Sequence, residues 1–166
     1  SAPFLTPAVA QVFAFSSVSV EGNERVDTAT ILSYAGIARG QEVSAGQLND
    51  AYQRLVRSGL FETVEISPQG STLVIRVSEY PFVNIINFEG NKLLKDEELA
   101  GIVQSQSRKV YSPSTAESDA AAIAEIYRVR GRLAATVTPK VIRRDGNRVD
   151  LVFEITEGKV VEIERL

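Results

Sequence analysis

The tripeptide Glu-Gly-Asn occurs twice in the chain, at residues 21–23 and 89–91, and each copy follows a run in which apolar and polar residues alternate. A chance tripeptide would stand alone, whereas an internal repeat must bring further matching positions at the same offset. The offset of 68 residues also relates Phe15 to Val83, Val18 to Ile86, Ile31 to Leu99 and Val43 to Tyr111. The chain is therefore predicted to contain two copies of one structural unit.

The first half of each copy is predicted to form a strand, a turn and a short helix. The strand, at residues 13–20 and again at 83–88, is rich in β-branched and aromatic residues. The glycine of the tripeptide allows a positive φ and the asparagine tolerates one, so the chain is expected to turn there. The short helix follows at about residues 28–34 in the first copy and 96–104 in the second.

The second helix has start and stop signals in both copies. Ser44 begins a capping box in the first copy, and Ser112 precedes a first-turn proline in the second, where Ser114 offers a further box. Gly59 and Gly131 are predicted to end the two helices. Helical spacing predicts a stripe that faces a core, formed in the first copy by Leu48, Ala51, Tyr52 and Leu55, and in the second by Ala120, Ile123, Ala124 and Tyr127.

Each copy closes with a hairpin of two strands, the first of them at residues 62–67 and 136–142. Pro139 cannot donate to a ladder, which predicts that its strand lies at a sheet edge. If the two helices pack as an antiparallel pair, the first and third strands run parallel. The sequence therefore predicts an α+β fold of two tandem β-α-α-β-β modules, each a three-stranded mixed sheet in the order one-three-two with two antiparallel helices on one face.

Two hydrophobic cores are expected, one in each copy. A copy of about 70 residues is near the size at which a single core is marginal, and its sheet leaves two edges open. The predicted core residues are Val18, Val20, Ile31, Leu48, Leu55, Val64, Ile75 and Val77 in the first copy, and Ile86, Phe88, Leu99, Ile123, Tyr127, Val137, Leu151 and Phe153 in the second.

The composition excludes several kinds of chemistry. The chain has no cysteine and no histidine, so thiolate or imidazole metal sites and histidine-based triads are excluded. The formal net charge of −3 argues against nucleic acid as a partner. No stretch approaches about 18 consecutive apolar residues, so no membrane-spanning helix is expected. We expect no catalytic, cofactor-binding or metal site.

Two charged clusters each have a structural interpretation as well as a functional one. The acidic residues 96–98 begin a helix, where carboxylates compensate the helix dipole more often than they act as acid–base pairs. Arg128, Arg130 and Arg132 make the second copy locally basic, which indicates a solvated face more than an anion site. Glu21 and Glu89 recur with the turn, and recurrence in both copies suits a structural role.

A strand that ends in Gly-Asn, two helices, the stretch Ser-Gly-Leu-Phe-Glu-Thr-Val at 58–64 and a closing hairpin resemble the polypeptide-transport-associated (POTRA) domain family. The second copy departs slightly, because Leu133 replaces the aromatic residue and the residues around Gly131 are basic. The likeness divides the chain into a tail at 1–12, a first domain at 13–80, a second domain at 81–158 and, at 159–166, the first strand of a third domain.

The resemblance implies a module that binds other proteins and is not an enzyme. It would stand at the periplasmic face of the outer membrane, as the arm of a larger protein whose membrane β-barrel lies outside this sequence. The implied partners are unfolded outer-membrane proteins, accessory lipoproteins of the assembly complex and periplasmic chaperones, with no cofactor and no nucleic acid. The implied mode of binding is strand addition to an open sheet edge.

The strands expected to accept an extended partner are the first strands of the two hairpins. Tyr80 and Pro81 are expected to form a hinge of limited bend, because the residue before a proline is conformationally restricted. The expected partner-binding residues are Glu62, Thr63, Val64, Glu65, Ile66, Thr136, Thr138, Lys140 and Ile142.

Other interpretations stay open at this point. Tandem domains of this family also occur in two-partner secretion pores and in TamA-type assembly factors. A cell-division scaffold of FtsQ type has one such domain behind a membrane helix, which the second copy here argues against. If residues 159–166 begin a third domain, Gly-Asn or a close substitute is expected about four to five residues beyond Leu166.

Overall fold

The computed structural model describes residue 3 and residues 11–160. The chain divides into two units, and the boundary between them lies between Glu79 and Tyr80. The predicted strand at 159–166 and the predicted tail at 1–12 lie mostly outside the described residues. The first unit contains β1 (Val12–Ala14), β2 (Ser17–Glu21), α1 (Thr28–Ala35), β3 (Glu42–Ser44), α2 (Ala45–Arg57), β4 (Phe61–Gln69) and β5 (Thr72–Glu79). The second contains β6 (Phe82–Glu89), α3 (Asp96–Ala100), α4 (Pro113–Val129), β7 (Thr136–Arg144) and β8 (Arg148–Thr156).

The predicted α+β fold and the strand order one-three-two are confirmed in both units. The first unit has the order β2-β5-β4 and the second has the order β6-β8-β7. In each sheet the central strand is the last one along the chain, β5 or β8. The first strand, β2 or β6, runs parallel to this central strand, and the hairpin partner, β4 or β7, runs antiparallel to it. The helices cover one face, because helical Ile31 and Leu55 share a buried cluster with Ile75 of β5.

The first strand of the first copy differs from the prediction, since it is two short strands and not one. β1 pairs antiparallel with β3, whereas β2 pairs parallel with β5. The chain changes partner at Phe15 and Ser16: the Phe15 carbonyl accepts from the Gly40 amide at 2.7 Å, and the Ser16 amide donates to the Ser71 carbonyl at 2.8 Å. The single alternating run therefore pairs with two different strands, which the sequence pattern does not reveal.

Helix α3 is shorter than predicted, because it ends at Ala100 and not near residue 104. Gly101 follows, and glycine is a poor helix former. The buried carboxylate of Asp119, on α4, then accepts from the amides of Gln104 at 2.8 Å and Ser105 at 2.9 Å. These amides are held by a neighbouring helix, so they cannot extend α3.

The helix starts largely match the sequence signals. The capping box at Ser44 is present, with the Gln47 amide donating to its hydroxyl and the Gln47 side chain accepting from its amide. In the second unit Ser112 is the cap residue and accepts from the Thr115 amide at 3.3 Å, while Pro113 occupies the first turn. The alternative start at Ser114 is therefore wrong.

The two predicted cores are present, but some of their members are placed differently. Ile31, Leu55, Leu99 and Ile123 are fully buried, while other predicted core residues are only partly buried: Val18, Val20, Leu48, Val64, Ile86, Phe88 and Val137. Tyr52 is 38% exposed and lies on the flank of α2, so its assignment to the core stripe is wrong. The structure adds buried residues that the predicted cores did not include, among them Phe15, Val43, Leu73, Val83 and Leu94.

Leu133 does not take the place of Phe61, although the two align after the helix-ending glycine. Phe61 is buried at the start of β4, whereas Leu133 is 58% exposed. In the second unit a turn separates the glycine from β7, closed by the Ala135 amide donating to the Arg132 carbonyl at 3.2 Å. Ala135 then packs against the core instead.

Candidate strand-acceptor edges

The repeated Glu-Gly-Asn turn has a structural role in both units. Gly22 and Gly90 have φ values of 87° and 88°, in the left-handed region that favours glycine. A Cβ atom at these glycines would lie 2.0 Å from the Val77 carbonyl oxygen and 1.9 Å from the Ile155 carbonyl oxygen, respectively. Glycine is required because the turn passes directly against the last strand of the same sheet.

The asparagine after each glycine is used differently from the sequence expectation. Asn23 and Asn91 do not adopt a positive φ. Their side-chain amides donate to the carbonyls of Val26 and Leu94, at 2.9 Å in each unit. Asparagine is therefore selected here for its amide donor, which closes the loop that leads to the first helix.

A glutamate at the end of the last strand clamps the same loop in both units. The buried carboxylate of Glu79 accepts from the backbone amides of Glu24 and Arg25. Glu157 accepts from the Leu93 amide and the Tyr127 hydroxyl, both at 2.7 Å. These glutamates match each other in the repeat and complete a structural turn, so they are not catalytic candidates.

The Glu157–Tyr127 pair has shifted proton affinities. Burial alone would raise the pKa of Glu157, but the hydrogen bonds from Tyr127 and from the loop amides outweigh it and hold the pKa below its usual value. Burial, followed by the bond to Glu157, raises the pKa of the Tyr127 hydroxyl. Both shifts favour a neutral phenol that donates to a charged carboxylate.

The outer edge of the first strand is partly covered in both units. In the first unit β3 pairs with β1, and the Gly40 amide reaches the Phe15 carbonyl. In the second unit residues 108–111 do the same: the Val83 amide donates to the Lys109 carbonyl at 2.8 Å, and the Arg108 amide donates to the Val83 carbonyl at 2.7 Å. This cover lies over the beginning of each predicted first strand, while β2 itself pairs with β5 alone within residues 11–160.

The opposite edge of each sheet is formed by the first strand of the hairpin. Within residues 11–160, β4 pairs with β5 alone and β7 pairs with β8 alone. The structure therefore places the predicted partner-binding strands at one of the two edges of each sheet. The sequence predicted the edge from Pro139, but it did not predict the covering segments at the other edge.

The predicted binding residues divide between the two faces of their strands. On β4, Val64 and Ile66 pack half-buried against the core, whereas Thr63 and Glu65 are exposed on the other face. Glu62 lies at a bulge, where the register slips between Phe61 and Thr63. On β7 the predicted residues all point away from the helices and are exposed: Thr136, Thr138, Lys140 and Ile142.

Charged side chains on the edge strands form ion pairs with residues of the central strand. On the first sheet, Arg76 lies 3.0 Å from Glu21 and 3.3 Å from Glu65, and these carboxylates raise its pKa. On the second sheet, Glu154 lies 2.7 Å from Lys140 and raises the pKa of that lysine. These cross-strand pairs are exposed, so each contributes little to stability.

The basic side chains of the second copy form two ion pairs and one hydrogen bond to a backbone carbonyl. Arg128 pairs with Glu125 at 2.6 Å and Arg130 pairs with Glu98 at 3.4 Å. Arg132 donates to the Gly158 carbonyl at 2.7 Å. These contacts support the interpretation as a solvated face.

Tyr80 and Pro81, the predicted hinge residues, belong to the second unit and pack within it. The ring of Tyr80 lies 6.3 Å from that of Tyr111 in an edge-on arrangement, and the Tyr111 amide donates to the Pro81 carbonyl at 2.8 Å. Hinge motion at these residues stays a prediction. The described residues contain no cluster of three or more acidic side chains that could hold a metal ion. No helix in the same part of the chain is long and apolar enough to cross a membrane.

Two successive β-α-α-β-β units, each with a glycine-asparagine turn and an open hairpin edge, define a tandem α+β repeat. The sequence model of the POTRA family, described as a surface antigen variable number repeat, matches residues 13–80 and again residues 81–158. The chain therefore belongs to the POTRA family.

Curated relatives share this region. The outer membrane protein assembly factor BamA of Neisseria meningitidis serogroup B is 28% identical over 165 residues, which cover 96% of this chain and 20% of that protein. The BamA of Neorickettsia risticii is 25% identical over 149 residues, covering 90% of this chain and 20% of that protein. The chain thus spans about a fifth of the length of these relatives.

Solved structures show the same fold. The N-terminal domain of Omp85 from Thermosynechococcus elongatus superposes with a TM-score of 0.71 at 18% identity, covering 89% of this chain and 64% of that one. POTRA domains 1 and 2 of the periplasmic domain of Omp85 from Anabaena give 0.63 at 16% identity, covering 92% of this chain and all of that one. CdiB from Escherichia coli gives 0.52 at 18% identity, covering 98% of this chain and 30% of that one.

Proposed function

We propose that this chain is the periplasmic POTRA region of an outer-membrane protein assembly factor, which receives unfolded outer-membrane proteins by strand addition. The observation that supports this most is the pair of hairpin edge strands, β4 and β7, whose outer sides have no partner strand within residues 11–160. Assembly is favoured over secretion or cell division because the curated relatives that match most of the chain are named assembly factors.

Strand addition suits clients whose sequences vary. Backbone hydrogen bonds along an edge are the same for every client sequence, while the side chains beside the edge give a mild preference. An unfolded outer-membrane protein presents extended segments of alternating polarity, which match the period of a sheet edge. The arm would hold such segments without catalysis, and accessory lipoproteins and periplasmic chaperones would dock on other surfaces of the same units.

A titration of the isotope-labelled chain with a peptide from an outer-membrane β-strand tests this function. Backbone amide shifts are expected to cluster on β4 or β7 and on the helix beside that strand. Shifts confined to Arg128–Arg132 would instead indicate an electrostatic site and would contradict strand addition. A scrambled peptide of the same composition, with its alternation removed, is the control and should bind more weakly.

A further inference from the structure

Each hairpin edge carries one proline, Pro68 on β4 and Pro139 on β7, and the two prolines lie at different positions of the repeat. Ile66 pairs with Ile75 in the first sheet, and Pro139 pairs with Phe153 in the second. These partners occupy matching positions of the two last strands, each four residues before the clamping glutamate, so Ile66 and Pro139 are equivalent. At this position the first edge has an amide donor and the second has a proline nitrogen, which cannot donate. Two residues further on the difference is reversed, because Pro68 pairs with Leu73 in the first sheet and Val141 pairs with Leu151 in the second.

The missing donor lies on the outer side of β7. A proline in a sheet is tolerated where its nitrogen points away from the neighbouring strand. Because strand residues two apart point to the same side, the amides of Val137 and Val141 also point outward. On β4 the equivalent outward amides belong to Val64 and Ile66. An added strand would therefore meet the outward donors of Val64 and Ile66 before the break at Pro68, near the end of β4, whereas Pro139 interrupts β7 near its middle.

An apolar flank borders the first edge. Arg54 of α2 donates to the Tyr34 carbonyl at 2.9 Å, so its side of α2 faces α1. Residues rotate by about 100° each around a helix, which places Val56 about 160° from Arg54, on the side away from α1. Since α2 also packs on β4, Tyr52 and Val56 border the β4 edge, and they are 38% and 42% exposed.

The second edge lacks this flank. The helical offset of 72 residues places Ala124 where the first unit has Tyr52, and Arg128 where it has Val56. Ala124 offers little apolar surface, and the Arg128 side chain is 59% exposed and paired with Glu125. An apolar side chain of an added strand would gain much less contact here.

The charges of the two strands are opposite. β4 contains two glutamates and no basic residue, whereas β7 contains Lys140, Arg143 and Arg144 and no acidic residue. Glu65 faces away from the helices and its side chain remains 61% exposed beside Arg76. A basic side chain on the polar face of an added strand would therefore be attracted to the β4 edge and repelled from the β7 edge.

We propose that the outer edge of β4 is the acceptor for client strands in this chain, and that β7 is not. The preferred occupant is an extended segment whose apolar side chains meet Tyr52 and Val56, and whose polar side chains, including a lysine or arginine, lie beside Thr63 and Glu65. This inference rests on the proposed function and adds to it the choice between two edges of the same topology.

The test uses the full 166-residue chain and a blocked nine-residue peptide of sequence Thr-Val-Lys-Val-Thr-Val-Lys-Val-Thr, followed by amide shifts. We expect shifts on β4 and near Tyr52, and none on β7. Ile66→Pro should weaken binding about fivefold or more through the lost outward donor. The reciprocal variant Pro139→Ile should leave binding at β4 unchanged.

The Ile66→Pro variant must be shown to fold. Pro139 shows that this fold accepts proline at the equivalent position, and unchanged amide shifts of the core residues would verify that Ile66→Pro is folded. A second variant tests the edge without changing its backbone. Tyr52→Ala leaves the ladder intact and should weaken binding about threefold. A peptide with glutamate in place of lysine should bind β4 more weakly than the lysine peptide.

The outcomes separate this inference from the proposed function. Equal binding at both edges, or preferred binding at β7, would overturn the choice of β4 and leave strand addition in place. Binding of the glutamate peptide as tightly as the lysine peptide would overturn the charge preference. Shifts away from both edges, or no shifts at millimolar peptide, would overturn both the inference and the proposed function.

Discussion

At the scale of single residues, the glycine of the repeated tripeptide is determined by contact and not by flexibility alone. Gly22 and Gly90 bring the turn so close to the last strand that a single methyl group would overlap a backbone carbonyl oxygen. A backbone atom in a paired strand cannot move aside as a flexible side chain can. The same position in both units is therefore closed to every other residue.

Gly22→Ala should destabilise the first unit strongly, and Gly59→Ala provides a matched control. Both glycines have a positive φ, but no atom lies within 4 Å of the Cβ position at Gly59. Both variants lose about 1–2 kcal/mol through the left-handed backbone, and only Gly22→Ala adds a steric term of about 1–3 kcal/mol. Urea unfolding measures the difference, and equal losses would contradict the close approach.

The lowered pKa of Glu157 predicts a pH dependence of stability in the second unit. A carboxylate whose pKa is lower in the folded state stabilises the fold above its unfolded pKa, about 4.5, and this contribution is lost as the pH falls through the folded value. Stability should therefore fall as the pH is lowered below about 5. Glu157→Gln, and Tyr127→Phe through the lost donor, should reduce this slope.

Unfolding midpoints between neutral and acidic pH provide the measurement. Asp150 leaves a residual slope in both variants, because hydrogen bonds from Asn84 and Arg144 lower its pKa as well. A slope in Glu157→Gln equal to that of the parent chain would show that this carboxylate does not contribute.

At the scale of elements, α2 presents a buried face and an apolar flank. Leu55 is fully buried on this helix, whereas its neighbour Val56 is 42% exposed. Leu55→Ala should cost about 2–5 kcal/mol, because it removes core contacts and leaves a cavity. Val56→Ala should cost well under about 1 kcal/mol, since an exposed position loses little contact. Chemical unfolding compares the two, and a loss below about half a kcal/mol for Leu55→Ala would remove this face from the core.

At the scale of the whole chain, the two units have separate cores. The cluster around Leu55 draws its members from the first unit, and the cluster around Ile123 draws its members from the second. Residues 81–158 expressed alone are therefore expected to fold, although a single core of this size is near the limit of independent stability. Dispersed amide signals that match those of the full chain would support this, and a collapsed spectrum would contradict it.

The periodicity of the sequence determined the modules and part of each core, and with the two helices taken as an antiparallel pair it also predicted the strand order. These follow from patterns that repeat within a few residues, such as the stripe of α2 and the alternation in β8, where local geometry fixes which side chains share a face. The sequence also predicted that the first hairpin strand lies at a sheet edge, because the Pro139 nitrogen carries no hydrogen to donate in any environment.

Only the tertiary structure decided the features that depend on residues far apart in the chain. The change of strand partner at Phe15, the end of α3 at Ala100 and the cover over the beginning of the first strands all depend on which distant acceptor each backbone amide meets. Tyr52 fits the helical stripe of α2, yet it lies on the flank beside β4, because the placement of α1 and the sheet decides which side of α2 is covered. Periodicity gives the direction in which a side chain points, whereas burial depends on what the rest of the chain places in that direction.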